Sequence, residues 1–398
     1  MVWWAKAGGA VIIAVLTTRC CSAVALIALS VVSVAGSEKV DLTPLGLFPT
    51  RQIWTLALNS QITVPPAYDP EHVFFGIDGN RLVAYTLAEG TQLWLVEARP
   101  LKQPAVGDDL VFCEEPGEIV ARRIADGSIA WRQPLTDAVS VAPTWTSGWL
   151  LVSTEKGSVM MFRATDGHLL WTRDIGSPAN ATPTVSGDRL YIPTEDGRVV
   201  ALVVETGEPA WERRLGGAAH DVLVMDDRLY TGSKDNFLYC ILTKNGVVDW
   251  RWRTGGDVIG LPAADEHHVY FVSLDNVLRS LDRVSGAQQW MRPLPVRPVW
   301  GPVKVRDRLV VGGQAARLHT FLLKDGASGG VLEAGAEVAA VPHVVRDAEV
   351  LLPVVHLVTR DLAKGAAARL VTRRLDPDSI PLADPLPNVI KMNGDKRP

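Results

Sequence analysis

The chain has 398 residues, 47% of them hydrophobic and 21% charged, with a formal net charge of −4. This length allows a large core or several domains, and the composition is that of a folded protein, not a disordered one. With acids in slight excess and no sustained Lys/Arg run, no basic face for nucleic acid is expected.

The N-terminus comes first. Residues 7–35 carry a single charge, Arg19, and Lys6 precedes them. An apolar stretch from Ala23 ending in Ser33-Val34-Ala35 predicts a secretory signal over 1–35. An uncleaved membrane anchor is the alternative, because about 20 apolar residues suffice to span a bilayer. Both readings place the bulk of the chain in the periplasm or cell envelope. Cys20 and Cys21 lie in this segment, but Arg19 directly before them spoils a lipoprotein-type small-residue site. Residues 36–50 read as a linker.

From residue 51 a phrase recurs: a polar turn with Gly, then Trp. It appears as LAEGTQLW, IADGSIAW, ATDGHLLW, VETGEPAW, TKNGVVDW and RVSGAQQW, ending at Trp94, Trp131, Trp171, Trp211, Trp250 and Trp290. With Trp54, which lacks the phrase, the spacings are 40, 37, 40, 40, 39 and 40. A second marker keeps the same step: Pro66, Pro104, Pro143, Pro183, Pro262, Pro302 and Pro342, with Val222 in the one missing slot. Eight units follow, one more than the tryptophans show.

The fourth unit reads TPTV, SGD, RLYIP, TEDG, RVVALVV, ETG, EPAWERRL. Four short strands in about 40 residues make a propeller blade. A Pro lacks a ladder donor and belongs on a sheet edge, so the strand that carries it is expected innermost. The Trp, on the outer strand, is expected to fill the gap between blades with its indole N–H on a carbonyl. Small residues recur in the third strand at Ala84, Ala121, Ala201, Cys240 and Ser280, as close sheet packing requires. Cys113 and Cys240 are accordingly read as small core residues.

The seventh unit, KDGASGGVLEA, has no Trp. The eighth has an inner strand near 338–345 and a hairpin of 349–359 with 367–375, but no outer strand. The chain begins with the missing piece, RQIWTLAL at 51–58. The expected fold is therefore an all-β, eight-bladed propeller of four-stranded antiparallel blades over 51–375, closed by the N-terminal strand. Closure removes exposed sheet edges. The Pro-rich tail, 376–398, is expected to be irregular.

The phrase in ALVVETGEPAW and SLDRVSGAQQW resembles the repeat of the pyrroloquinoline-quinone propeller superfamily across about residues 51–375. It is not of the WD40 type, since no Asp follows any of these tryptophans. One branch of the superfamily contains quinoprotein dehydrogenases, which hold the quinone and calcium above the channel and oxidise alcohols or sugars. The other contains non-catalytic scaffolds of the BamB type, which serve outer-membrane protein assembly, and the chain is more similar to these. It lacks their Leu- and Arg-bearing loop at DIGSPANATP, so no partner-binding residue is carried over. The resemblance implies an exported binding scaffold with no catalytic, cofactor or metal residue; a dehydrogenase with quinone and calcium is the alternative.

Calcium takes six to eight oxygen ligands. The loops between units are short and offer only scattered acids, Asp137, Asp221, Asp257 and Glu337, read as solvated turn residues. His267-His268 falls at a turn with no further ligand in view. The loops before the inner prolines carry Trp145, Asp221, Asp257, Arg297 and Trp300. This mixed aromatic and polar set is the candidate surface for a protein partner, although packing also accounts for Trp145 and Trp300.

Overall fold

The computed structural model describes residues 49–345 and 353–375. They form eight antiparallel sheets. Blades one to seven span 67–97, 105–134, 144–174, 184–214, 219–253, 258–293 and 303–333, each with four strands in chain order from the inside out. Blade eight combines both ends of the propeller. Its sheet runs from Thr50–Ala57 through Ala367–Leu375 and Val354–Asp361 to an inner strand in two pieces, Glu337–Val338 and His343–Val345. The N-terminal strand pairs along its whole length with the C-terminal one, from Thr50↔Leu375 to Ala57↔Arg369. The predicted closure is the observed one. The expected 338–345 strand is broken, and of the expected hairpin the part before Pro353 lies outside the described residues.

Five of the tryptophans have the same two neighbours. Within its own blade each stands opposite a small residue of the third strand, Ala84↔Trp94, Ala121↔Trp131, Ala201↔Trp211, Cys240↔Trp250 and Ser280↔Trp290, whereas Trp171 stands opposite Met161 and Trp54 opposite Thr372. Beyond the small residue stands an aromatic ring of the second strand. Phe74, Phe112, Tyr191, Tyr230 and Tyr270 tilt against their tryptophans at 5.8–5.9 Å between centroids. The small residue lets two large rings meet over the third strand, a favourable tilted contact. Cys240 is one of these spacers. Burial pushes its thiol and that of Cys113 up to about 12, which leaves both as inert core groups.

Between blades, every indole N–H of the seven donates to a carbonyl about 33 residues ahead, in the turn before the outer strand of the next blade. Trp94 reaches Ile124 at 2.6 Å, Trp211 reaches Thr243 at 2.7 Å and Trp290 reaches Leu323 at 2.9 Å. The ring lies over the glycine of that same turn. A Cβ on Gly90, Gly127, Gly167, Gly207, Gly246, Gly286 or Gly326 would stand 2.5–3.1 Å from the tryptophan of the preceding blade. These glycines have φ of 68–73°, a region that disfavours any Cβ. Their second role, as the seat of the neighbour's indole, is not visible from the turn alone.

Blade seven carries Gly330 where the others carry Trp, opposite Thr320. Its Trp would have docked on the turn between the third and outer strands of blade eight. Those two strands, Ala367–Leu375 and Thr50–Ala57, come from opposite ends of the chain, so no such turn exists. The missing tryptophan follows from the way the ring is closed. Trp300, Val310, Leu318, Leu332, Val355 and Val371 fill this seam instead.

A candidate binding face at the channel mouth

All inner strands run in one sense around the ring. The return connections, from each outer strand to the next inner strand, therefore lie on one face, together with the turns between second and third strands. The remaining turns lie on the opposite face. Asp257 and Arg297 lie in return connections, Trp300 ends one, and Asp221 stands near the start of its inner strand Ala219–Met225. These four share the first face. Trp145 does not. It lies in Thr144–Thr146, next to the turn at the far end of its inner strand. Its ring covers Gly107 of blade two, and its Nε1 donates to Asp108 Oδ2 at 3.0 Å. The candidate set is therefore split between the two faces. Trp145 follows its proline while Trp300 precedes one, a difference of phase that the shared proximity to Pro conceals.

Trp300 belongs to the seam between blades seven and eight and is 9% exposed, so packing is its main role. Arg297 is exposed. Asp221 is half-buried in blade five, and burial raises its carboxyl above the usual range. Burial also lowers the adjacent His220 imidazole, against the attraction of Asp221 and Asp257. The connections on this side are pinned to their neighbours: Gly216 N–H donates to Asp235 Oδ2 at 2.9 Å and Gly255 N–H to Asp275 Oδ2 at 3.0 Å. The face around blades five and six is thus a set of short, held loops, the rigid kind of platform on which surface recognition is built.

Inner strands of blades five and six touch, and the backbones of blades six and seven meet at two glycines. A Cβ on Gly260 would be 2.1 Å from Gly301 N, and one on Gly301 would be 2.0 Å from the Leu261 carbonyl oxygen. Next to this contact lies a cavity of about 460 Å³ shared by blades seven, eight, one and two. Its walls include Pro65, Tyr68, Gln103, Trp300, Val341 and Arg360.

The scattered acids stay scattered. Asp137 belongs to the connection into blade three, where it pairs with Lys156, and Glu337 of blade eight accepts from Arg360 Nε at 2.9 Å. Asp221 and Asp257 belong to blades five and six. Among the described residues no three His, Cys, Asp or Glu side chains come together as metal ligands. His268 lies 3.4 Å from Asp265 in its turn. Sequence reasoning did not single out Tyr68, His343 and His356. Tyr68 stacks on His343 with centroids 4.0 Å apart, and His343 on His356 at 6.0 Å.

Eight four-stranded blades and the Trp–Gly seams define a propeller built of pyrroloquinoline-quinone-like repeats. The chain belongs to the family described as outer membrane protein assembly factor BamB, whose model matches residues 30–142, 139–220 and 215–337. Among solved structures it is similar to BamB from Moraxella catarrhalis, at 17% identity over 82% of this chain and 100% of that one, with a TM-score of 0.68. It is similar also to the quinohemoprotein alcohol dehydrogenase ADHIIG from Pseudomonas putida HK5, at 14% identity over 85% and 78% of the two chains, TM-score 0.64. A europium-containing methanol dehydrogenase matches at 11% identity over 82% and 93%, TM-score 0.66. At these identities the likeness is one of fold. No curated protein matches the chain.

Proposed function

We propose that this protein is a non-catalytic scaffold of the cell envelope that binds a protein partner in outer-membrane protein assembly. Membership in the BamB family carries this reading. The chemistry of the mouth agrees with it. Two of the four acids are already paired with Lys156 and Arg360, and among the described residues the acids form no group of three metal-ligating side chains. The partner docks on the face of the return connections, where Arg297 and Asp257 stand at held loops. N-terminal residues 1–35 deliver the chain to the envelope.

The test is capture from envelope extracts with the wild type and with Arg297→Glu/Asp257→Lys. Assembly-complex proteins should be retained by the wild type and lost from the charge-reversed variant at unchanged thermal stability. Full retention by the variant removes this face, and no envelope protein captured by either removes the scaffold reading. A second reading, a quinone-dependent dehydrogenase, is favoured only by the shared fold of the alcohol and methanol dehydrogenases. Stoichiometric quinone binding in the presence of calcium, with dye-linked turnover of alcohols or sugars, would establish it in place of the first.

A further inference from the structure

The cavity at the channel mouth has the features of a binding pocket rather than a packing fault. At about 460 Å³ it falls in the range of ligand sites. It adjoins the Gly260–Gly301 contact through Trp300, and the stretch between the two pieces of the inner strand of blade eight contributes much of its wall. Much of its wall is apolar: Pro65 and Pro66 of blade one, Val299 of blade seven, and the run from Val338 to Pro342 of blade eight. Two valines at this wall stay solvent-exposed, Val299 at 46% and Val341 at 50%.

The polar groups narrow the ligand. Among the described lining residues Arg360 is the one permanently cationic side chain, and Glu337 already holds it in an ion pair. An anionic guest therefore finds no unpaired positive charge among the described lining residues, and burial of its charge would be unfavourable. Gln103 donates to the Pro66 carbonyl at 2.8 Å, and its amide oxygen remains to accept; Gln314 adds a second amide. Two buried donors of the wall, Trp300 Nε1 and Tyr68 Oη, have no acceptor among the described residues. Both atoms are closed to solvent, so they lie behind the cavity surface, and the amides of Gln103 and Gln314 are the polar groups left to a guest.

We propose that this cavity binds an uncharged, extended polypeptide segment of a partner protein, with an aliphatic or aromatic side chain inserted between blades eight and two and the peptide backbone on the Gln103 and Gln314 amides. This rests on the scaffold reading only in that the ligand is a polypeptide. Its test is separate from partner capture.

The probe is the capped pentapeptide acetyl-Gly-Leu-Phe-Val-Gly-amide, titrated into the full protein labelled with 15N on tryptophan, with acetyl-Gly-Asp-Phe-Glu-Gly-amide as the charged control. The neutral peptide should shift the Trp300 indole resonance saturably and leave those of Trp171 and Trp211 unmoved. The acidic peptide should bind at least tenfold more weakly. Val341→Asp, at an exposed rim position, should weaken the neutral peptide tenfold or more, and Ala340→Phe, which narrows the cavity, should do the same. A Trp300 resonance that does not move at millimolar peptide overturns the proposal. So does equal binding of the two peptides, or a shift that survives in both variants. Charge reversal at Arg297 and Asp257 should leave peptide binding intact, so failure of the docking face and failure of the cavity are distinguishable.

Discussion

Trp54 Nε1 donates to the Ala88 carbonyl at 3.0 Å, and its ring covers Gly90. The outer strand of blade eight thereby grips blade one in the same way that each tryptophan-bearing blade grips the next. Trp54 is half-buried, so Trp54→Ala should cost about 3 kcal/mol, the low end for a large aromatic. Deletion of 51–58 should cost far more, since it also bares the edge of 367–375. Thermal and urea denaturation would measure both. An unchanged midpoint after the deletion contradicts closure by this strand.

The seat of each indole should be as sensitive as the indole itself. Gly207 has φ of 68°, and a Cβ there would be 2.6 Å from the Trp171 ring. Gly207→Ala combines left-handed strain with overpacking and should lose about 2–4 kcal/mol. In a Trp171→Leu background the overpacking share should largely vanish, leaving about 1 kcal/mol for the backbone. A double-mutant cycle with no coupling would show that the glycine serves its own turn alone.

The seam between blades seven and eight makes the opposite prediction. Gly330→Trp restores the repeat on paper but has no turn to dock on. It should leave stability unchanged or lower it, whereas Trp211→Gly should cost about 3–5 kcal/mol by opening a cavity. A rise in melting temperature for Gly330→Trp would overturn the explanation given for the missing tryptophan.

Blade eight should also make the ring sensitive to acid. His356 takes the place that Phe or Tyr holds in blades one, two, four, five and six, on the rung His356↔Thr372↔Trp54. Its Nδ1 lies 3.0 Å from Thr372 Oγ1. Burial, and then the neighbouring His343, lower it from 6.5 to about 4. Burial likewise lowers His343 to about 4, against the attraction of Asp69. The unfolded chain binds protons below pH 6.5 that the folded one refuses until about 4. Stability is therefore full above 6.5 and falls as pH drops through this window, by about 3 kcal/mol for His356; the half-buried His343 adds less. His356→Phe should flatten that slope in urea melts at pH 7.5, 5.5 and 4.5. An identical slope in the variant would place the acid sensitivity elsewhere.

The repeat was legible because each blade writes the same tryptophan, glycine and proline at one step. The closing strand was legible because Trp54 keeps phase without a blade before it. The unmarked parts were harder to read. The missing Trp of the seventh unit has no reason in the repeat itself; the interrupted turn of blade eight supplies it. His343 and His356 carry no motif, since their neighbours Tyr68 and Trp54 lie some 300 residues away. Trp145 and Trp300 looked equivalent from their prolines, yet one precedes and the other follows, and the inner strand carries them to opposite faces.

In blades one to seven the coded unit is the assembled blade, but each joint is shared between two units. Each stretch of about 40 residues supplies a key, its tryptophan, for the blade ahead, and a lock, its glycine turn, for the blade behind. A segment copied or excised whole brings both parts with it, and the new junctions match on either side. Such a ring can change its number of blades by duplication or loss of an interior unit without redesigning any joint. The junction of blades seven and eight is the exception: its interrupted turn cannot serve as a lock, so its position in the chain is fixed by the two ends.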